Sequence, residues 1–140
     1  MHPYVIEKNW NTKGTGVALR ISPRWSSREA GIVILELAPQ SKAGEDSAFD
    51  YSQAAVVTMN PLEIVRLVRV LKGYVESYRT SIFGTIFSLE HLMEPEPSYK
   101  IAFEDEASHK RRVIYLTPEE GDLLCSSLSY VIGPLVFGVA

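Results

Sequence analysis

One feature constrains this chain more than any other: the same four-residue signal occurs twice. Asn60-Pro61-Leu62-Glu63 and Thr117-Pro118-Glu119-Glu120 each place a capping side chain, then a proline, then a glutamate three residues after the cap. Such a quartet starts a helix sharply. The cap oxygen and the glutamate bond backbone N–H groups that no helical turn can reach, and proline has no N–H to satisfy. Ile64, Leu67, Val68 and Leu71 recur at helical spacing after the first quartet. Gly73 is a natural stop, although the pattern also allows the helix to run on to Tyr78. Leu124, Leu128, Val131, Ile132 and Leu135 follow the second quartet, and Gly133-Pro134 is expected to kink or loosen that helix near its end.

Strand signals precede each quartet. Period-two alternation and β-branched or aromatic residues predict strands over residues 4–10, 17–25, 31–38 and 53–59. After the first helix they predict strands over 81–89, 99–104 and 112–116, with a fourth at 74–79 if the helix ends at Gly73. The chain therefore reads as a hairpin-connected sheet and a helix, twice over. The expected fold class is α+β, with two antiparallel four-stranded sheets each followed by an α-helix. No linker or low-complexity tract divides the halves, so residues 1–140 are expected to form one domain.

Composition narrows the class. With 46% hydrophobic and 22% charged residues in 140, the chain can bury a core without staples. Cys125 is the only cysteine, which excludes an intrachain disulfide and a cysteine-based zinc site. The start lacks the pattern of a signal or transit peptide, and no apolar run is long enough to span a bilayer; an intracellular, cytoplasmic protein without membrane contact is expected. The net charge of −3 is unevenly spread. Residues 1–28 hold Lys8, Lys13, Arg20, Arg24 and Arg28 against Glu7 alone, so the positive charge falls on the first strands.

Three stretches carry a family resemblance over nearly the whole chain. Lys13-Gly14-Thr15-Gly16-Val17-Ala18-Leu19-Arg20-Ile21-Ser22-Pro23-Arg24 resembles the K-G-K-A-A-L stretch and following P-R of the Whirly family of single-stranded DNA-binding proteins. Phe49-Asp50-Tyr51-Ser52-Gln53, running ungapped to Glu63-Ile64, is similar to that family's Y-D-W-S-R stretch. The last helix resembles its T-x-x-E opening and apolar ending. The resemblance implies the double sheet-and-helix fold, single-stranded DNA as partner and a homotetramer. It has departures. Thr15 or Gly16 stands where the second lysine of K-G-K would be, so the role of that lysine, including assembly beyond the basic oligomer, does not carry over. Tyr51 replaces the tryptophan and Gln53 the arginine. A bacterial, archaeal or viral relative is expected rather than a plant organelle protein.

The residues support binding on their own terms. On the second strand Val17, Leu19 and Ile21 alternate with Ala18, Arg20, Ser22 and Arg24, giving one apolar face and one small, polar and basic face. The helices can cover only one. Lys13 in the adjoining turn, and Lys8 and Trp10 on the neighbouring strand, would set cations beside an aromatic platform. Single strands need this pairing, because bases stack on rings for ~1–3 kcal/mol each while cations follow the backbone. The candidate contacts are Lys8, Trp10, Lys13, Arg20, Ser22, Arg24, Trp25, Phe49 and Tyr51.

Plainer readings compete with each of these. Arg20 and Arg24 fit ordinary solvated strand positions, Trp10 and Trp25 fit core or edge packing, and Phe49 and Tyr51 fit anchors of a long loop. Phe83 and Phe87 share parity with Thr85, which suggests a buried strand face. Lys110-Arg111-Arg112 beside Glu104-Asp105-Glu106 reads as a self-neutralising turn.

Enzymatic signals are weak. His2, His91 and His109 lack metal-ligand spacing, Cys125 sits on an apolar helix, and Gly14-Thr15-Gly16 leads into a strand rather than a helix. No catalytic residue, metal or cofactor is expected. The expected function is sequence-tolerant binding of single-stranded DNA during replication, repair, recombination or transcription. The alternatives are a transcription-regulating or protein-interaction module on the same fold and a single-stranded RNA binder.

Overall fold

The computed structural model describes residues 3–24, 31–42 and 48–137. Strands β1 (Tyr4–Lys8), β2 (Val17–Arg24), β3 (Ile32–Pro39) and β4 (Ala55–Met59) form one antiparallel sheet in that order. Helix α1 (Pro61–Leu71) follows. Strands β5 (Ser77–Ile82), β6 (Thr85–Leu92), β7 (Ser98–Asp105) and β8 (Arg111–Leu116) form the second sheet, also in chain order, and helix α2 (Pro118–Phe137) closes the fold. The double sheet-and-helix order predicted from the repeated quartet is the one observed.

Both quartets fold as capping boxes. Asn60 Oδ1 accepts from Glu63 N at 2.9 Å and Glu63 Oε1 accepts from Asn60 N at 3.2 Å. Thr117 Oγ1 accepts from Glu120 N at 3.2 Å, and Glu120 Oε1 accepts from Thr117 N at 2.9 Å. Helix α1 stops at the glycine. Gly73 takes a φ of 81°, its N–H reaches Val70 O at 3.0 Å and Tyr74 N reaches Arg69 O at 2.9 Å, so the last carbonyls are satisfied by a left-handed turn. Helix α2 instead continues past Pro134 to Phe137.

Several boundaries move, each for a local reason. Strand β1 ends at Lys8, because Asn9 adopts a φ of 57° and turns the chain, so Trp10 lies beyond the strand. Residues Tyr51–Gln53 form a 3₁₀ turn started by Asp50, whose carboxylate accepts from Ser52 N at 3.0 Å, and β4 starts only at Ala55. The break in the second sheet falls at Phe83-Gly84 rather than near Thr80. Ile82 pairs with Thr85, leaving a two-residue hairpin with φ of 46° and 82°. Phe87 and Thr85 do point inward, but this turn takes Phe83 out of the pattern and leaves it fully exposed.

Both sheets turn their apolar faces to one core. Leu19, Leu35 and Met59 of the first sheet meet Phe87, Ile101 and Phe103 of the second, with Ile64 and Leu67 of α1 and Leu124 and Leu128 of α2. Phe87 and Phe103 meet edge to face with centroids 5.3 Å apart. Tyr99 ties the second sheet to α1 by donating to Leu71 O at 3.1 Å. Its ring lies so close to Gly121 of α2 that a Cβ there would stand 2.3 Å from Tyr99 Cε2. With both helices on the inner side, the outer face of each sheet is left to loops and solvent.

Candidate nucleic-acid interface

The outer face of the first sheet holds Arg20, but not as a free cation. Arg20 Nε donates to Glu36 Oε1 at 2.8 Å and Nη2 to Glu36 Oε2 at 3.0 Å, a fork-to-fork pair across β2 and β3. Tyr51 lies over the guanidinium, with Arg20 Cζ 3.8 Å from its ring centroid. The bond to Glu36 outweighs burial and holds the guanidinium above its ordinary pKa. Burial raises the Tyr51 phenol, and Arg20 offsets part of that rise. Next to this pair Phe49 is buried against Ala18 and Ala38. The segment carrying Phe49 and Tyr51 thus roofs part of the face on which single-strand contacts were expected.

The other expected contacts scatter. Lys8 has the parity of Ile6, not of Arg20, so it turns to the helix side and donates to Glu120 at 2.6 Å. Burial raises the Glu120 carboxyl, but the bonds from Lys8 and Thr117 prevail and hold it below its ordinary value. Ser22 is buried at 2% exposure and is no open-face contact. Arg24 is exposed, with Nη1 donating to Pro23 O at 3.1 Å. Trp25 lies outside the described residues. Trp10, 60% exposed, and Lys13 project from the turn between β1 and β2.

Gln40, which nothing in the sequence singled out, holds that turn. Its Oε1 accepts from Asn11 N at 3.1 Å and Gly16 N at 3.0 Å, and its Nε2 donates to Asn11 O at 2.6 Å. Gly16 fits because a Cβ there would lie 2.8 Å from Asn9 O. The only sequence signal was the glycine itself.

The outer face of the second sheet is different. Arg79 on β5, Lys100 on β7 and Arg111 and Tyr115 on β8 share it with Glu90 and Glu104. Among the described residues the only ion pairs within 4.0 Å are Lys8–Glu120 and Arg20–Glu36, so these cations are unpaired. A concavity of about 300 Å³ between Arg79, Ser88, Glu104 and Arg111 lies on this face. A second cleft of about 560 Å³ runs between the sheets, lined by Gln53, Val56, Thr85, Lys110 and Arg111. Arg112 closes its floor by donating to the backbone carbonyls of Leu37 and Gln53. In the turn before β8 Asp105 Oδ1 accepts from Ala107 N and Ser108 N and Glu106 accepts from the Ser81 hydroxyl, while Glu104 stands across the ladder from Arg111. Among the described residues no ion pair within 4.0 Å joins these carboxylates to Lys110 or Arg111.

The class these features define is a Whirly-type fold whose outer sheet faces no helix covers. Solved structures bear out the fold. WHY1 from Arabidopsis thaliana superposes with a TM-score of 0.70 at 18% identity, covering 98% of this chain and 85% of that one. The plant transcriptional regulator PBF-2 gives 0.65 at 20% identity, covering 98% and 82%. A guide-RNA-binding protein complex, solved bound to a guide RNA, gives 0.75 at 14% identity, covering 95% and 92%. No protein-family model and no curated protein sequence matches the chain.

Proposed function

We propose that this chain is a non-enzymatic protein that binds single-stranded nucleic acid, chiefly on the outer face of the second sheet. The observation that carries the reading is that Arg79, Lys100 and Arg111 lie unpaired beside exposed Tyr115 on a face that neither helix covers. Unpaired cations release counterions when phosphates arrive, and an exposed ring offers a base its face. Trp10, Lys13 and Arg24 extend the surface at the first sheet. Arg20 does not, since its charge is held by Glu36.

Likeness to a guide-RNA-binding complex supports RNA as a partner alongside DNA. Single strands of both kinds are exposed in replication, repair, recombination and transcription.

We infer that the chain also self-associates, as a homotetramer through its helices. Support comes from the outward stripe of α2, where Leu123, Tyr130 and Phe137, seven residues apart, are 56%, 72% and 89% exposed. Val136 is half exposed as well, whereas Leu135, on the stripe with Leu124 and Leu128, is fully buried in the core.

The test is an anisotropy titration of the protein against single-stranded DNA, single-stranded RNA and duplex DNA at several salt concentrations. Tight, salt-sensitive binding to single strands with weaker duplex binding supports the proposal. Absence of binding to all three at low salt would move the reading to a protein-interaction module on the same sheets.

A further inference from the structure

Among the described residues three non-glycine residues take positive φ: Asn9 at 57°, Phe83 at 46° and His109 at 59°. Asparagine and histidine tolerate this left-handed region, whereas a bulky aromatic there is an outlier. Phe83 holds the first position of a two-residue hairpin, where asparagine before glycine is the favoured choice. It is also fully exposed, so its ring stabilises nothing within the chain. A residue that disfavours its own backbone and packs on nothing calls for a partner.

The surroundings indicate which partner. Gly84 O accepts from Glu106 N at 2.9 Å, and Ser81 Oγ donates to Glu106 at 3.3 Å, so the β5–β6 tip is braced against the β7–β8 turn. Across that turn Asp105 N donates to Lys110 O at 2.9 Å. Lys110 therefore sits about two strand spacings, ~10 Å, from the tip. Among the described residues Lys110 and Arg111 have no carboxylate within ion-pair distance, and both line the inter-sheet cleft. An apolar pocket on a protein partner would gain little from such cations; a nucleotide uses ring and cation together.

We propose that Phe83 is a base-stacking residue at the edge of the second sheet, with Lys110 and Arg111 holding the phosphates of the same strand. This rests on the single-strand reading above and names a contact within it. The ring stacks on any exposed base, so the contact is sequence-tolerant and serves DNA and RNA alike.

Phe83→Asn is the suitable variant, because asparagine suits the turn while removing the ring. Oligothymidylate and oligouridylate are the probes, with melting and sedimentation run on each variant. The melting temperature of Phe83→Asn is expected to hold or rise, and its oligomeric state to stay that of the parent. Its affinity for both probes should fall by about 5- to 140-fold, the range that ~1–3 kcal/mol of stacking converts to, with an unchanged salt slope. Phe83→Trp should retain affinity and Phe83→Leu should lose it. Lys110→Ala should flatten the salt slope by up to ~0.7.

Affinity of Phe83→Asn equal to the parent's, while Arg79→Ala and Arg111→Ala weaken binding, would overturn the stacking assignment and leave the sheet reading standing. So would a Phe83→Leu variant that binds as tightly as the parent. Dissociated oligomers with unchanged strand affinity would make Phe83 a protein contact and overturn it too. A parent protein that binds neither probe would instead remove the single-strand reading itself.

Discussion

On the first sheet the outward guanidinium of Arg20 is gripped by Glu36 and covered by Tyr51, whereas on the second Arg79 and Arg111 are exposed and unpaired. The sheets have equal strand number, the same order and one shared core. What differs is the connection before the last strand. In the first sheet the segment leading into β4 folds back and buries Phe49 on Ala18 and Ala38, while in the second a short turn runs straight from β7 to β8. Formal charge and usable charge are thereby separated. The basic residues concentrate in the first strands, yet Arg20 and Lys8 are spent on intramolecular pairs. On the open sheet faces the unpaired cations, Arg79, Lys100 and Arg111, lie in the acidic part of the chain, while Lys13 and Arg24 stay unpaired only at the margins of the first sheet.

Breaking the roof on the first sheet should have the largest effect on stability. Phe49→Ala removes a ring that is 3% exposed and should cost about 3 kcal/mol, read by chemical denaturation. It should also raise protease sensitivity near Tyr51 while the second sheet stays protected from hydrogen exchange.

Gly121→Ala probes the shared core from the other side. A Cβ placed 2.3 Å from the Tyr99 ring forces a shift, with an expected cost of about 1–3 kcal/mol, read as a lower melting temperature. Strand affinity at a temperature where the variant is folded should be unaffected.

Glu36→Gln sharpens the comparison by releasing Arg20. Folding should weaken slightly, strand affinity should rise a few-fold, and the salt slope should steepen by up to ~0.7. An unchanged slope would mean that Tyr51, not Glu36, is what keeps Arg20 from a ligand.

The smallest effect belongs to Lys8 and Glu120. The folded carboxyl of Glu120 titrates below its unfolded value, so its contribution to stability is present above the unfolded pKa and is lost as pH falls through the folded one. Glu120→Gln should remove that part of the acid dependence of melting. The pair is partly exposed, so the difference near neutral pH should stay within about 1 kcal/mol.

Much of the fold was legible because its signals are local. Asn60 and Thr117 announce their helices by side chains that bond backbone three residues away, and alternation such as Val17, Leu19 and Ile21 names the inner face. The site was less legible, because occupancy of a charge depends on contacts distant in sequence. Arg20 meets Glu36 across a strand register that residue types alone do not set, and Lys8 meets Glu120 after 112 residues. Parity alone puts Lys8 on the helix side with Ile6, because both pair with inward residues of β2. Phe83 was masked by the same rule: it keeps step with Phe87 in the sequence, and only the turn at Gly84 takes it out of the core. Gln40 gave no signal, since its role lies in three bonds to a neighbouring turn.

The most direct test of the contrast between the sheets is a paired measurement of affinity and salt slope for single-stranded DNA. One variant, Arg20→Ala with Glu36→Ala, deletes a neutral pair from the first sheet; the other, Arg79→Ala with Arg111→Ala, deletes free cations from the second. The first should leave the slope unchanged, and the second should flatten it by up to ~0.7 for each phosphate no longer neutralised and weaken binding to all sequences. A flattened slope in the first variant with an unaltered second would put the strand on the first sheet and contradict the account.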